Sequence, residues 1–311
     1  KPYFDRFLKE LPDVAALSDC PEEKLLKLWE GLGYYNRVRN MQIAAQTVME
    51  NYHGELPADY EALTKLKGIG HYTAGAIASI AFGIPVPAVD GNVLRVISRV
   101  TEDDADIMKA SVRTAMEKDL LEIMPENRAG AFNQALMELG ATVCLPNGAP
   151  LCEACPWKKV CRAQKSGRWR ELPVKSKAKA RRIEDRTVLV IKAEDKVLLH
   201  KRADKGLLAG LYEFPNVEGH LKEEEVITYL KKMGLSPIRL KKLEDSRHIF
   251  SHIEWHMTGY AVQIDETEQE YQNMLFVDVK ETEEQYPIPA AFSRYTGYMN
   301  IRLGNDRYKE E

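Results

Sequence analysis

Four of the chain's five cysteines lie in one eighteen-residue segment, CLPNGAPLCEACPWKKVC, at positions 144 to 161. The spacing is C-x7-C-x2-C-x5-C, with a single C-x2-C pair, whereas a zinc ribbon normally brings together two such pairs from separate hairpins. Four thiolates from one short loop favour a [4Fe–4S] cluster. Its ligands would be Cys144, Cys152, Cys155 and Cys161. The alternative is a set of reduced structural cysteines that bind no metal.

This distribution of cysteines is typical of a reducing compartment, because secreted disulfide frameworks spread their cysteines in pairs. The chain begins with Lys1 and has no basic start followed by an apolar core. We therefore expect no signal peptide, a cytoplasmic location, and a natural N-terminus upstream of Lys1. The longest uncharged stretch, residues 68–89, contains two prolines and four glycines, which favours a buried helix followed by a loop over a membrane span.

Composition and charge define the class of protein only broadly. The length of 311 residues accommodates more than one domain, and 44% apolar with 29% charged residues is typical of a folded globular protein. The net charge of −3 hides a basic run between positions 158 and 186, where twelve Lys or Arg stand against three Asp or Glu. Such a run is either a solvated linker or a surface that faces nucleic acid, and both interpretations stay open at this point.

The hydrophobic pattern changes across the basic run. Before it, segments bounded by Gly, Pro or Asn repeat a helical spacing of apolar residues. They are PEEKLLKLWEGLG, NRVRNMQIAAQTVMENY, ADYEALTKLKG, HYTAGAIASIAFG, GNVLRVISRV and SVRTAMEKDLLEIM. After it, RTVLVIKAEDKVLLHKR predicts a β-hairpin, HIFSHIEWHMTGYAVQI further strands, and EEEVITYLKKMG an amphipathic helix between them. The sequence thus predicts an all-α N-terminal part and an α+β C-terminal domain.

One helical junction has the pattern of an anion site. LKGIGHYTAGAI, residues 66–77, predicts a helix end, a Gly-x-Gly turn and a new helix start. Gly68 and Gly70 permit the tight turn, and the free N–H groups of the next helix can then donate to a phosphate. Asp90 follows in PAVDGNVLRV, and its position alone is that of an ordinary helix N-cap. The turn, Asp90 and the cysteine loop together favour a functional aspartate.

In this order, LKGIGHYTAG, VDGNVLR and the four-cysteine loop resemble the helix-hairpin-helix DNA glycosylases of the endonuclease III superfamily. The C-terminal domain resembles that of the MutY-type adenine DNA glycosylases, which is Nudix-like. The resemblance implies a multidomain fold with an all-α helix-hairpin-helix glycosylase core. Its parts are a six-helix-barrel part with the hairpin at 1–82, an iron–sulfur cluster domain at 83–166, a basic linker at 167–184 and a Nudix-like 8-oxoguanine recognition domain at 185–311.

The resemblance also implies base-excision repair. Such enzymes hydrolyse the N-glycosidic bond of adenine mispaired with 8-oxoguanine or G, after the nucleotide has flipped out of the duplex. Breaking this bond builds positive charge on the sugar, which a nearby carboxylate stabilises. Asp90 matches the family's aspartate, and Tyr72 and Asn92 complete the implied catalytic group. We expect a monomer that binds double-stranded DNA with A:8-oxoguanine or A:G mispairs and no membrane.

Tyr72 separates two subclasses of the superfamily. Glycosylases that also cut the DNA backbone carry a lysine at the matching hairpin position, and this lysine forms a Schiff base with the sugar. A phenol cannot form that adduct. Tyr72 therefore implies a monofunctional glycosylase and argues against the alternative of an endonuclease III-type lyase.

Two segments match the family's lesion contacts, besides Gly68, Gly70 and His71 at the hairpin. In EGLGYYNRVRN, residues 30–40, Leu32, Gly33 and Tyr34 would lie at the opened base step, while Arg37 and Arg39 would reach phosphate. Core packing is the alternative for these aromatic side chains, above all for Tyr35.

The second segment is FSH, formed by Phe250, Ser251 and His252, which matches the family's loop for 8-oxoguanine. Ser251 and His252 offer donors and acceptors that suit a base edge. The domain around them lacks the R-E-x-x-E-E pattern with which catalytic Nudix hydrolases bind Mg²⁺. We therefore expect a domain that recognises the lesion and hydrolyses no pyrophosphate.

The family's general acid is a glutamate in a segment that resembles W-x-S-E-x-M-L-Q-Q-T. Residues 1–4 match a point shortly after it, so the chain as given lacks this glutamate. Departure of the adenine should then lose the factor that general acid catalysis provides, on the order of 10²- to 10⁴-fold. One interpretation is a partial sequence of an active enzyme, and the other is a non-catalytic protein that binds lesions. The presence of Asp90, Tyr72 and the FSH loop favours the first.

Overall fold

The computed structural model describes residues 1–177, 179–265, 273–304 and 306. Residue contacts divide the chain into two compact units, one formed by residues 1–42 and 179–311, the other by residues 43–178. Residues 1–42 thus group with the C-terminal part, whereas the sequence assigns them to the helical core. The predicted boundaries stay predictions, and the portions of the linker at 178 and of the Nudix-like domain at 266–272, 305 and 307–311 lie outside the described residues.

Helices account for all the regular structure in residues 1–177, as predicted. The N-terminal helices are α1 (Pro2–Glu10), α2 (Val14–Asp19), α3 (Glu22–Leu28), α4 (Asn36–Tyr52), α5 (Tyr60–Lys65), α6 (His71–Ala81), α7 (Gly91–Thr101), α8 (Ala110–Glu122), α9 (Ala129–Glu138) and α10 (Arg162–Ser166). Helices α3 to α8 coincide with the predicted helical segments, although α7 and α8 each extend one residue beyond them. Helices α1, α2, α9 and α10 were not predicted from the pattern. The uncharged stretch at 68–89 forms α6 and a loop, and no helix of the described ranges is long and apolar enough to cross a bilayer.

The unit of residues 43–178 has its core around α7, which presents one apolar face to its neighbours. Helix α6 contacts α9, and α9 contacts α7. The buried apolar residues of this core are Val89, Val93, Leu94, Val96, Ile107, Met116, Leu120, Leu136 and Leu139. Because α9 touches both α6 and α7, it fixes the hairpin helix and the Asp90 helix within one packed unit.

The other unit contains a mixed β-sheet. Its elements are β1 (Arg182–Ala193), β2 (Lys196–Lys201), β3 (Tyr212–Glu213), β4 (Asn216–Glu218), α11 (Glu223–Lys232), β5 (Pro237–Lys242), β6 (Ser246–Ile249), β7 (Ile253–Ile264), β8 (Met274–Asp278), α12 (Val279–Glu284) and α13 (Ser293–Thr296). The order is β3-β2-β1-β7-β5, with β4 on β1, β6 on β7 and β8 on β2. Strands β1 and β7 are parallel, and the other pairs are antiparallel. The predicted hairpin is β1 and β2, although β1 already begins inside the predicted linker.

Both faces of this sheet are buried, because successive residues of β1 point to opposite sides. Val188 and Val190 pack with Trp255 and Phe292 on one face. Leu189 packs with the residues of α11 on the other. The sheet therefore lies between α11 and the C-terminal segment, and the α+β prediction is confirmed.

The N-terminal segment adds a third apolar cluster to the same unit. Leu25, Leu26, Tyr35 and Val38 are buried together with Leu211, which lies next to β3. Residues some 170 positions apart in sequence thus share one core, which explains why residues 1–42 group with the C-terminal part.

Candidate functional site

Asp90 is the N-cap of α7, and its carboxylate has three donors. Oδ1 accepts from the backbone N–H groups of Asn92 and Val93 at 2.9 Å each, and Oδ2 accepts from Asn92 Nδ2 at 2.9 Å. The capping geometry predicted from position is therefore present. Because both oxygens are held, the partly exposed carboxylate has one orientation at the positive end of a helix.

A buried arginine connects this cap to the cysteine loop. Arg95 Nη2 donates to Asn92 Oδ1 at 2.9 Å and to Gly140 O at 2.7 Å, while its Nε donates to Cys144 O at 2.8 Å. Burial is the main cause that lowers the pKa of this guanidinium. The arrangement holds Asn92, and through it Asp90, in register with the first cysteine.

The loop before Asp90 is fixed by Asn133 of α9, which is 1% exposed. Its Oδ1 accepts from Ala88 N at 3.1 Å, and its Nδ2 donates to Val86 O at 2.9 Å and to Ser79 Oγ at 2.8 Å. Asn133 was not predicted from the sequence. The signal was a polar side chain on the apolar face of a helix, which a buried position tolerates only when it is hydrogen bonded.

The hairpin has the geometry that the Gly-x-Gly pattern predicts. Gly68 has a φ of +79°, a conformation that favours glycine. Gly70 is the N-cap of α6 and has no side chain to block the free N–H groups. The exposed His71 accepts or donates at Nδ1 with the Tyr60 hydroxyl, 2.8 Å away. Tyr72 is 37% exposed, and its hydroxyl donates to Met137 Sδ at 3.5 Å.

The four cysteines of the loop line one cavity, together with Arg99 and Trp169. Arg99 Nη1 donates to Cys144 Sγ at 3.3 Å, and Cys161 Sγ donates to Arg99 O at 3.5 Å. Burial, with a further effect of the nearby cysteines, raises the pKa of the Cys152 and Cys155 thiols. Within the described ranges, no three His, Cys, Asp or Glu residues lie close enough together to hold a single metal ion.

A separate cleft of about 720 Å³ lies in the unit that contains the sheet. One wall is formed by the turn after α3, where Gly33 has a φ of +68° and Tyr34 a φ of +47°. Tyr34 is 67% exposed, and the Arg37 guanidinium lies over its ring at 4.9 Å from the centroid. Leu32 is also exposed. The turn therefore presents an apolar and aromatic tip with a cation beside it.

The tight turn between β6 and β7, which is the FSH segment, also lines this cleft. Phe250 N donates to Ile253 O at 2.8 Å, and Arg182 N donates to His252 O at 3.0 Å. The Phe250 ring packs edge-on against Trp255 at 4.9 Å, while Ser251 and His252 are exposed. The packed phenylalanine thus anchors a turn whose two polar residues remain accessible.

The structure brings the predicted lesion contacts of both segments into this one cleft. Its lining includes Leu32, Gly33, Tyr34, Arg37, Phe250, Ser251 and His252. These two groups lie more than 200 positions apart in the sequence. Asp90, Asn92, Tyr72 and the hairpin residues belong to the other unit.

Arg39 lies in α4, and Tyr35 lies directly before that helix. Arg39 donates to Glu22 Oε1 and to Ala209 O at 2.6 Å each, and its contact with phosphate stays a prediction. Tyr35 is 6% exposed, and burial raises its pKa. Tyr35 is therefore a core residue, in agreement with the alternative of core packing for the aromatic side chains of this segment. Tyr34 is exposed and does not belong to the core.

Two family models match the chain. The model described as "HhH-GPD superfamily base excision DNA repair protein" matches residues 1–122, and the model described as "NUDIX domain" matches residues 186–296. The first covers the hairpin and Asp90, and the second covers most of the sheet.

Curated relatives extend over both parts. An adenine DNA glycosylase of Buchnera aphidicola subsp. Acyrthosiphon pisum (strain APS) is 30% identical over 263 residues, which cover 85% of this chain and 74% of the relative. An adenine DNA glycosylase of Mus musculus is 35% identical over 314 residues, which cover 85% of this chain and 61% of the relative. A solved structure described as a non-covalent Endonuclease III-DNA complex is 29% identical, with a TM-score of 0.47, and covers 54% of this chain and 77% of that one.

Proposed function

Because the chain belongs to the adenine DNA glycosylase family, whose members are hydrolases of base excision repair, we propose that it removes adenine paired with 8-oxoguanine or G. The substrate is double-stranded DNA with such a mispair. The adenine nucleotide leaves the base stack, water replaces the base at C1′ of the sugar, and free adenine is released.

The observation that carries the 8-oxoguanine part of this proposal is that Tyr34 and Ser251 line the same cleft. 8-Oxoguanine differs from guanine on one edge, where it has a carbonyl at C8 and an N–H at N7. A serine hydroxyl both donates and accepts, so it suits that pair of groups. The exposed aromatic side chain of Tyr34, in the same cleft, stacks on a base at the opened step.

Asp90 supplies the chemistry at the sugar. Loss of adenine builds positive charge at C1′, and a carboxylate held in one orientation stabilises that charge without reorganising. Asn92 keeps the carboxylate in place through two hydrogen bonds. Tyr72 takes the hairpin position at which a Schiff-base lysine would stand, so the enzyme cleaves only the glycosidic bond.

Release of adenine tests the proposal against its rivals. The natural gene product is incubated with duplexes that carry A:8-oxoguanine, A:G or A:T, and the liberated base is quantified. We expect release from the two mispairs, fastest with 8-oxoguanine, and no DNA adduct after borohydride reduction. A trapped adduct would support the lyase alternative. Tight binding without release would support a non-catalytic lesion-binding protein.

Ser251→Ala tests the proposed recognition of 8-oxoguanine. Loss of one neutral hydrogen bond costs about 1 kcal/mol, so the preference for 8-oxoguanine over G should fall roughly 5- to 10-fold while A:G release is unchanged. Ser236→Ala, at an exposed serine of the same unit, is the matched control. An unchanged preference in the Ser251 variant contradicts the assignment.

The cysteine loop supports a [4Fe–4S] cluster as the cofactor. All four cysteines line one cavity. A cubane cluster takes one protein thiolate at each of its four irons, so four cysteines around one cavity suit it. The cluster would bind Cys144, Cys152, Cys155 and Cys161 and brace the basic loop. We expect elemental analysis to find iron in place of zinc. The visible spectrum should show a broad absorption band.

The protein is further proposed to act as a monomer in the cytoplasm. Analytical ultracentrifugation of the free protein and of its DNA complex tests the first point, with one protein per duplex expected. Fractionation of cells that express the natural gene product tests the second.

A further inference from the structure

A buried ion pair joins the end of α3 to the C-terminal segment. Lys27 Nζ and Glu30 Oε1 are 2.9 Å apart, and the two side chains are only 8% and 1% exposed. Lys and Glu are among the residues that proteins bury least often, and they do so only when partners replace water. Burial of this pair therefore depends on the groups that Lys27 and Glu30 contact.

The partners of the pair lie in a segment more than 250 positions away. Lys27 Nζ also donates to Thr282 O at 2.8 Å and to Tyr286 O at 3.1 Å. Glu30 Oε1 accepts from Ile288 N at 2.9 Å, and its Oε2 accepts from Gly304 N at 3.0 Å. Two adjacent charges thus bind four backbone groups of residues 282–304, which fixes the position of that segment relative to the end of α3.

On its α3 side, the pair leads directly into one wall of the cleft. Glu30 precedes the turn that carries Leu32 and Tyr34. This turn is braced further by Trp29, whose indole N–H donates to Gly33 O at 2.9 Å. A shift of Glu30 therefore moves the exposed tip of the turn.

On its other side, the pair is connected to the FSH turn through packed aromatic rings. Ile288 precedes residues 289–291, which line the cleft. Phe292 follows them and packs against Trp255 at 6.0 Å, and Trp255 packs against Phe250 at 4.9 Å. The buried pair is thus connected by continuous contacts to the turn that presents Ser251.

We propose that Lys27 and Glu30 are positioning residues that set the separation between Tyr34 and Ser251, and that the preference for 8-oxoguanine depends on them. The inference rests on the proposed function and deepens it. Neither side chain lines the cleft, so neither contacts the lesion. Their effect is on the distance across the site, and the readout is the ratio of A:8-oxoG to A:G processing.

The test is the charge-neutral double variant Lys27→Met/Glu30→Gln, which avoids leaving one buried charge without its partner. We expect a folded protein that still releases adenine from A:G. Its ratio of A:8-oxoG to A:G processing should be about 10-fold lower. In this background Ser251→Ala should cause no further loss, because a misplaced hydroxyl no longer contributes. Such non-additivity distinguishes positioning from general destabilisation, which lowers the rates of adenine release from both substrates equally.

The chain offers a matched control in a second Lys–Glu pair. Lys201 and Glu23 lie 2.6 Å apart and also join α3 to the sheet, but they are 40% and 58% exposed. Exposed pairs contribute little, so Lys201→Met/Glu23→Gln should keep the full preference. Loss of preference in this control would show that any change at α3 suffices, which overturns the assignment to the buried pair.

A second variant decides the question even where the double variant does not fold. A Cβ on Gly304 would lie 2.9 Å from Glu30 O and from the Tyr3 hydroxyl, at a φ of +53°. Gly304→Ala should therefore shift the same contact while both charges stay, and the preference should fall by a smaller factor. Full preference in folded Gly304→Ala or in the folded double variant overturns the inference. Ser251→Ala without effect in the otherwise unchanged protein would instead overturn the proposed function, and the inference with it.

Discussion

Asn92 donates to both oxygens of Asp90, from its backbone N–H to Oδ1 and from its side-chain amide to Oδ2, each at 2.9 Å. Helix capping and the proposed stabilisation of a sugar cation are therefore compatible roles of one carboxylate. The cap fixes the orientation of the group, and the chemistry uses its charge. The substitution that separates these roles must keep the cap and remove the charge.

Asp90→Asn is that substitution. Asn caps helices about as well as Asp, but its amide nitrogen cannot accept from Asn92 Nδ2 as Oδ2 does, so a loss of stability of about 1 kcal/mol is expected. The rate of adenine release should fall on the order of 10²- to 10³-fold. Single-turnover release from an A:8-oxoG duplex measures the rate, and a filter-binding assay should show retained DNA affinity. Asp59→Asn, which alters the N-cap of α5, is the control and should keep the rate. A variant that still cuts at the original rate contradicts the role of Asp90.

Asn133→Ala should weaken the loop that leads to Asp90. The change leaves the buried Ala88 N–H without its acceptor and removes two donors, at a cost of about 1–3 kcal/mol. We expect a lower melting temperature and a reduced rate of adenine release, with a smaller effect on DNA affinity. Gln134→Ala, one residue along on the exposed face of α9, is the control. Equal rates of adenine release in the two variants would show that Asn133 does not support the site.

Local patterns were enough to predict the helices α3 to α8 and the Gly-x-Gly turn between α5 and α6. Each is encoded by neighbours in sequence: apolar spacing, an N-cap such as Asp90, or glycines at a turn. The position of the Asp90 cap was likewise predictable, because capping depends on the next three residues only. The FSH segment was identified only by its resemblance to the family's loop.

The contacts between distant segments were not predictable in this way. Glu30 precedes a glycine turn, a position that favours an exposed charge. It is nevertheless buried, and its carboxylate accepts from the backbone N–H groups of Ile288 and Gly304. Arg39 likewise donates to Ala209 O, 170 positions away. Ile288, Gly304 and Ala209 become neighbours of the N-terminal segment only when the chain has folded, and no periodicity in the sequence predicts that packing.

His71 at the hairpin should contribute to DNA affinity through the ring nitrogen that Tyr60 leaves free. The Tyr60 hydroxyl lies 2.8 Å from Nδ1, so a neutral ring that accepts there carries its hydrogen on Nε2, beside the free N–H groups of α6. His71→Ala should weaken binding to any duplex roughly 5- to 10-fold, as expected for about 1 kcal/mol. Tyr60→Phe should have a smaller effect of the same kind, and Tyr52→Phe should have none. Fluorescence anisotropy at fixed salt measures all three, and a sequence- or lesion-specific loss would contradict a phosphate contact.

His248 should make the stability of the cleft depend on pH. The side chain lines the cleft and packs edge-on against Phe250 at 4.6 Å, and burial lowers its pKa below the ordinary value of 6.5. As pH falls below 6.5, the unfolded chain takes up this proton first, so the histidine's contribution to stability is complete above that pH and is lost progressively below it. His248→Phe keeps an aromatic ring that does not titrate. Urea unfolding between pH 5 and pH 7.5 should show a flatter acid limb for this variant, whereas His220→Gln, at an exposed position, should retain the original slope. Parallel curves for His248→Phe and the unchanged protein would show that another group causes the acid loss.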